Sequence, residues 1–109
     1  MQPVVITTTT ASDDEARTIA KALIEEGLAA CVNIVGPVTS VYKWQGKVEE
    51  EAEYKLFIKA FMESWAAIRE KIKALHSYSV PEITLINAEQ MNPDYIAWMD
   101  TVCVKIDRT

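Results

Sequence analysis

The chain has 109 residues, of which 50% are hydrophobic and 25% are charged. This composition is typical of one globular domain, here residues 1–109, and excludes a disordered chain. The net charge of −5 at pH 7 argues against a nucleic-acid partner, and the sequence has no run of about 18 apolar residues that would span a membrane.

The N-terminal segment predicts a strand followed by a helix. Residues 4–10 are rich in β-branched side chains, which favours a strand over the apolar segment of a signal peptide. Ser12 and Glu15 have the spacing of a capping box, and apolar residues then recur at helical spacing. We therefore expect a first helix over about residues 13–26 and a cytoplasmic protein.

The middle of the chain predicts a long β-hairpin. Residues 31–35 and 39–44 carry strand signals, and a Gly-Pro pair interrupts them. A Gln-Gly pair typical of a tight turn follows, and residues 48–60 then alternate between two faces. Such a strand would be roughly 43 Å long at about 3.3 Å per residue. Because one small sheet does not need that length, we expect the hairpin to project beyond its own subunit.

The C-terminal part predicts two further helices and a strand. Apolar residues at helical spacing over residues 65–75 indicate a helix, which a following proline stops. Residues 82–88 indicate a fourth strand, and an Asn-Pro pair starts a short helix over about residues 92–100. Residues 102–106 are either a last edge strand or a tail that folds over a neighbour.

The order of these elements is β-α-β-β-α-β with an added C-terminal helix. Two right-handed crossovers in this order give a four-stranded antiparallel sheet with helices on one face, a ferredoxin-like α+β sandwich. This fold serves many unrelated activities, so it assigns no function by itself.

Residues that could carry chemistry are few. Cys31 and Cys103 have no CxxC spacing and are expected to be reduced thiols, with Cys31 a small core residue. Ser77 adjoins His76, but immediate neighbours in a loop rarely meet as nucleophile and base, so we predict no enzyme activity. His76, the one histidine, is either an exposed residue just past a helix or a ligand for copper, zinc or nickel.

The predicted hairpin carries an acidic run and three aromatic residues. Residues 49–51 and Glu53 could attract hard cations, but neighbouring carboxylates on a strand point to opposite faces. The run therefore favours a solvated hairpin tip that also deters edge-to-edge aggregation. Tyr42, Trp44 and Tyr54 lie along the same hairpin, where aromatic residues more often pack in an interface than stack on a ligand.

Four segments of the chain are distinctive: LAACVNI, SVYKWQGKVEEEAEYKLFIKA, HSYSVPEI and DYIAWM. In sequence and in order, and over nearly the whole chain, they resemble the CutA family, the divalent-cation tolerance proteins. The resemblance implies a ferredoxin-like fold, a tight homotrimer of PII-like architecture and a role in tolerance to copper and other divalent cations.

The resemblance also extends to single residues. The positions that match the family's motifs are Cys31, Trp44, Gly46, His76, Tyr78, Pro81 and Glu82. Ser77 departs from the pattern, because the family usually has proline there. By this resemblance His76 is the candidate metal ligand, and the pocket expected between subunits involves Cys31, Trp44, Tyr78 and Glu82.

Two classes of function remain open at this stage. The first is a trimeric metal-binding or metal-responsive module whose candidate ligand is Cu²⁺ or another divalent cation, with no cofactor required. The alternative is a PII-like signalling trimer that binds a small effector in the clefts between subunits. A purely structural trimer that scaffolds a protein partner is a third, weaker interpretation.

Overall fold

The computed structural model describes residues 1–104, which form four strands and three helices. In chain order these are β1 (Pro3–Thr10), α1 (Asp13–Glu25), β2 (Cys31–Trp44), β3 (Lys47–Phe61), α2 (Trp65–Leu75), β4 (Ile83–Asn87) and α3 (Pro93–Val102). A single 3-10 turn, Met62–Ser64, joins β3 to α2. The predicted βαββαβ order with an additional C-terminal helix is confirmed.

The four strands form one antiparallel sheet in the order β2-β3-β1-β4. The first strand is therefore central, with β3 on one side and β4 on the other. Its side chains alternate between the helix-covered face, where Val4 and Ile6 are fully buried, and the opposite face. The opposite face presents Thr7 and Thr9, which become important for the candidate site.

The first two helices build the core against one face of the sheet. The hydroxyl of Ser12 accepts the backbone N–H of Glu15 at 3.1 Å, which confirms the predicted N-cap of α1. Both helices place an apolar stripe toward the strands. The fully buried side chains that meet between the two layers are Val4, Ile6, Ile19, Leu23, Leu56, Ile58, Ile68 and Ile72.

The third helix forms a second, smaller cluster around Phe61 and Met99. It continues to Val102, two residues past the predicted end, so the expected edge strand or tail does not begin at residue 102. The backbone N–H of Val104 donates to the carbonyl of Gly27 at 2.8 Å. Residues 105–106 of the expected edge strand or tail lie outside the described residues. Within residues 1–104, no helix is both long enough and apolar enough to cross a membrane.

The second strand corrects one prediction, because it is continuous through the Gly-Pro pair. Val35 pairs with Lys55 and Val38 pairs with Glu53, so residues 36–37 together oppose Tyr54 in a β-bulge. A bulge bends a strand without ending it, since the ladder of hydrogen bonds resumes after the extra residue. The ring of Tyr54 packs over this point and against the core of its own chain.

The long hairpin is confirmed, and it extends past the rest of the sheet. The first strand pairs with residues 54–61 of β3, whereas residues 47–53 pair only with β2 in the part of the chain that the structure describes. Gln45 and Gly46 form the predicted tight turn, with φ angles of 49° and 81° that suit a two-residue connection. We call residues 38–53 the projecting hairpin.

Candidate functional site

His76 lies at the C-terminal end of α2, and its side chain is fully buried, so the expectation of an exposed histidine is wrong. Its Nε2 is 2.9 Å from the carbonyl oxygen of Thr9 in β1, and its Nδ1 accepts the backbone N–H of Tyr78 at 3.1 Å. Because Nδ1 accepts a hydrogen bond, Nε2 carries the ring proton and donates to Thr9. Contacts within the chain thus occupy both ring nitrogens.

Glu15 connects the first turn of α1 to the loop that follows α2. Its Oε1 accepts two hydrogen bonds from Ser77, from the backbone N–H at 3.0 Å and from the hydroxyl at 3.2 Å, and lies 3.3 Å from Nδ1 of His76. The predicted capping box is therefore only half formed: Ser12 caps the helix, but the carboxylate of Glu15 reaches the loop instead. A proline at position 77 would have neither of the two donors.

Tyr78 joins the same loop to the base of the projecting hairpin. Its hydroxyl donates to Oε2 of Glu53 at 2.6 Å, a short, charge-assisted hydrogen bond to a residue that is only 8% exposed. Burial and the neighbouring Glu53 raise the pKa of Tyr78 above its ordinary value. Burial also raises the pKa of Tyr42, with a further contribution from the hairpin carboxylates, of which Glu51 contributes most.

Glu82, at the end of the loop, accepts four hydrogen bonds. Its Oε2 accepts from Thr84 at 2.6 Å and Thr7 at 3.0 Å. Its Oε1 accepts from Thr9 and from the ammonium of Lys55, each at 3.2 Å. Burial alone would raise the pKa of Glu82, but the hydrogen bonds from Thr84, Thr7 and Lys55 outweigh it and lower this pKa.

Cys31 and Trp44 lie far from this loop and from each other. They stand at opposite ends of the 14-residue strand β2, roughly 43 Å apart at about 3.3 Å per residue. Cys31 is partly buried beside Tyr95, and burial together with this neighbour raises the pKa of the Tyr95 hydroxyl. Trp44 is 63% exposed at the tip of the hairpin. One chain therefore does not assemble the four predicted pocket residues, and a pocket between subunits stays a prediction.

The structure does bring together His76, Tyr78 and Glu82. Thr9 links two of them, because its carbonyl accepts from His76 and its hydroxyl donates to Glu82. Sequence reasoning missed the surrounding partners, which are Thr7, Thr9, Glu15, Glu53 and Lys55. The run of four threonines that ends β1 was the available signal, since residues two apart on a strand, such as Thr7 and Thr9, share a face.

The resulting cluster carries more negative than positive charge. Three carboxylates, those of Glu15, Glu53 and Glu82, surround the loop, and the ammonium of Lys55 faces them at Glu82. This electrostatic arrangement favours a cationic over an anionic ligand. Within residues 1–104, however, no three His, Cys, Asp or Glu side chains lie close enough together to hold a metal ion.

Comparison with known proteins gives one consistent result. Residues 4–102 match the family model described as CutA1 divalent ion tolerance protein. The chain is 47% identical over 95 residues to the divalent-cation tolerance protein CutA of Thermus thermophilus, covering 87% of this chain and 92% of that protein.

Solved structures agree with the sequence comparison. The crystal structure of CutA1 from Oryza sativa superposes with a TM-score of 0.94 at 35% identity, covering 97% of both chains. A protein from Archaeoglobus fulgidus, described as a periplasmic divalent cation tolerance protein CutA, superposes with a TM-score of 0.89 at 38% identity. That match covers 92% of this chain and 97% of the other.

Proposed function

The chain belongs to the CutA1 divalent ion tolerance family, and we propose that it acts in tolerance to copper-like divalent cations as a homotrimer of PII-like architecture. The cation binds between subunits, at the loop of residues 76–82, and His76 is its candidate ligand. The protein needs no resident cofactor.

The excess negative charge around this loop carries the proposal. Glu15, Glu53 and Glu82 attract a cation to the place where His76 supplies imidazole nitrogen, a ligand type that suits copper, zinc and nickel. One chain offers too few ligands within residues 1–104, so a neighbouring subunit has to complete the coordination. A threefold assembly brings copies of each side chain together in this way.

The projecting hairpin supports the trimer. Among the described residues 1–104, residues 47–53 have a pairing strand only in β2, and the tip exposes Trp44 and Val48, the latter 71% exposed. Unpaired strand edges and exposed apolar side chains are the features that a partner subunit covers. Obligate interfaces of this kind commonly bury about 2,000 Å² or more.

The proposal includes a cytoplasmic location and no catalytic activity. His76 donates to Thr9 and accepts from Tyr78, so in this arrangement neither ring nitrogen serves as a base toward Ser77 or Cys31. Both cysteines, Cys31 and Cys103, are free thiols, which are typical of a reducing compartment.

The alternative, a PII-like signalling trimer with a small effector in its clefts, has one observation in its favour. Both nitrogens of His76 are already occupied, so a metal ion would have to displace Tyr78 or Thr9 to bind there. An effector that contacts the loop through hydrogen bonds would not need that displacement. The charge of the cluster argues that such an effector is itself cationic.

Two measurements test the proposal. Sedimentation equilibrium at micromolar concentration should give three times the 12.2 kDa mass of the chain, and a folded monomer would contradict the trimer. Calorimetric titration should show Cu²⁺ binding with a dissociation constant on the order of micromolar, tighter than Zn²⁺ or Ni²⁺.

A matched variant assigns the ligand. His76→Gln keeps a side-chain donor for Thr9 but removes the imidazole, and a thermal melt verifies that the variant is folded. Weaker Cu²⁺ binding by the variant supports His76 as the ligand, whereas identical isotherms remove it from the mechanism. Absence of binding in both proteins would favour the effector cleft.

A further inference from the structure

We infer that the loop of residues 76–82 is a brace that fixes the direction of the projecting hairpin, with Tyr78 as the contact and Glu15 as the anchor. The brace operates within one chain. It does not depend on the trimer proposed above.

The hairpin needs such a support at one particular place. The pairing of β1 with β3 ends at Thr10 and Tyr54, so Glu53 is the first residue of β3 beyond the three-stranded part of the sheet. The bulge of residues 36–37 lies directly opposite Tyr54 and bends β2 at the same level. A two-stranded ribbon is marginally stable by itself, and here its base coincides with a bend.

Tyr78 contacts the hairpin at this base. Its hydroxyl donates to Glu53 at 2.6 Å, and Glu53 as a residue is 8% exposed. Loss of a donor to a buried carboxylate costs more than loss of an ordinary surface hydrogen bond, because the charge keeps its desolvation penalty. The contact therefore resists movement of the hairpin away from the loop.

The position of Tyr78 depends in turn on α1. Ser77, the residue before it, donates twice to Glu15, and α1 is fixed in the core by Ile19 and Leu23. His76 adds a second attachment through Thr9. A continuous path of direct contacts thus runs from the core through the loop to the base of the hairpin.

This anchor is a property of the present sequence. A proline at position 77 would restrict the backbone but provide no donor for Glu15. Here two hydrogen bonds hold the loop, and hydrogen bonds can be broken and remade. Anything that binds the loop and withdraws Ser77 from Glu15 would release Tyr78 and so loosen the hairpin.

Hydrogen exchange measured by mass spectrometry on the full-length protein tests the brace. Tyr78→Phe, which removes only the hydroxyl, should speed exchange in residues 47–53 by about tenfold or more, while residues 3–10 of β1 keep their wild-type rates. Glu15→Ala should act in the same direction through the anchor. Glu15→Gln keeps the acceptor oxygen while removing the charge, so it should restore slow exchange.

Ser79→Ala, in the same loop, is the matched control and should leave exchange in the hairpin unchanged. Unchanged exchange of residues 47–53 in both Tyr78→Phe and Glu15→Ala would overturn the brace. An equal rise in residues 47–53 and in β1 would also overturn it, because it would indicate general destabilisation. The test is independent of the trimer: a wild-type protein that sediments as a monomer refutes the assembly, yet its hairpin still reports on the brace.

Discussion

The two halves of β3 form one regular strand but belong to different parts of the molecule. Residues 54–61 pair with β1, residues 55–59 among them pair with β2 as well, and Leu56, Ile58 and Ala60 are completely buried in the core. Residues 47–53 pair on one side only, and Val48 there is 71% exposed. Backbone regularity therefore does not distinguish the half that builds the core from the half that extends past the rest of the sheet.

Side-chain composition separates the two halves. In the inner half buried and partly buried residues alternate over residues 56–60, as expected for a strand with one face in the core. In the outer half the acidic residues 49–51 place charge on both faces of the strand. Because burial of unpaired charge is costly, the outer half is not stabilised by packing against the core. The outer half depends on its ladder with β2 and on the contact between Glu53 and Tyr78.

The largest expected difference between the halves is in the free energy of unfolding. Ile58→Ala empties part of the core and should lower it by about 2–5 kcal/mol. Val48→Ala removes an exposed side chain and should lower it by less than about 1 kcal/mol. Urea unfolding at one fixed protein concentration measures both, since assembly makes apparent stability depend on concentration. Equal losses would show that the outer half contributes to the fold as much as the inner half.

Gly36, at the boundary between the halves, should give a smaller but specific effect. A Cβ at this position would lie 2.3 Å from Cδ2 of Tyr54, so Gly36→Ala forces the ring to move. We expect the free energy of unfolding to fall by about 1–3 kcal/mol, as for other overpacked sites.

A double variant verifies the cause of that loss. Adding Tyr54→Leu to Gly36→Ala removes the ring that the new methyl group meets. The double variant should therefore lose less free energy of unfolding than the sum of the losses of the two single variants. Strictly additive losses in urea unfolding would mean that the clash with Tyr54 is not responsible.

The sequence predicted the elements well where pattern and local chemistry agree. Ser12 marked the start of α1, and alternation predicted the buried half of β3. The break at the Gly-Pro pair was predicted wrongly, because local turn signals do not reveal that the ladder between β2 and β3 resumes beyond a bulge. The ring of Tyr54 over Gly36 is a tertiary contact that no pattern within either strand contains.

The candidate site was less predictable than the fold. The family motif identified His76, Tyr78 and Glu82, and these do lie in one hydrogen-bonded cluster. The partners of this loop, Glu15 and Glu53, are distant from it in sequence. The sequence explained Glu15 locally as part of a capping box and Glu53 as a solvated charge of the hairpin. Long-range pairing of polar side chains leaves no periodic signal, which is why the brace emerges only from the structure.

The smallest predicted effect concerns Glu82, which supports the inner half through Lys55. Its pKa is lowered below the ordinary value of 4.5 in the folded protein. The stabilisation that ionised Glu82 gives to the folded state is therefore fully present above pH 4.5. It is lost as the pH falls through the lower pKa that Glu82 has in the folded protein. The side chain is 42% exposed, so solvent screening limits the contribution to less than about 1 kcal/mol.

Glu82→Gln should make the unfolding free energy fall less steeply between pH 5 and the acid limit, measured by urea titration at each pH. Thr84→Val, which deletes the donor at 2.6 Å, should change the acid limb in the same direction. An acid limb as steep in both variants as in the wild type would show that this cluster does not couple protonation to folding, and that the inner half owes its stability to apolar burial alone.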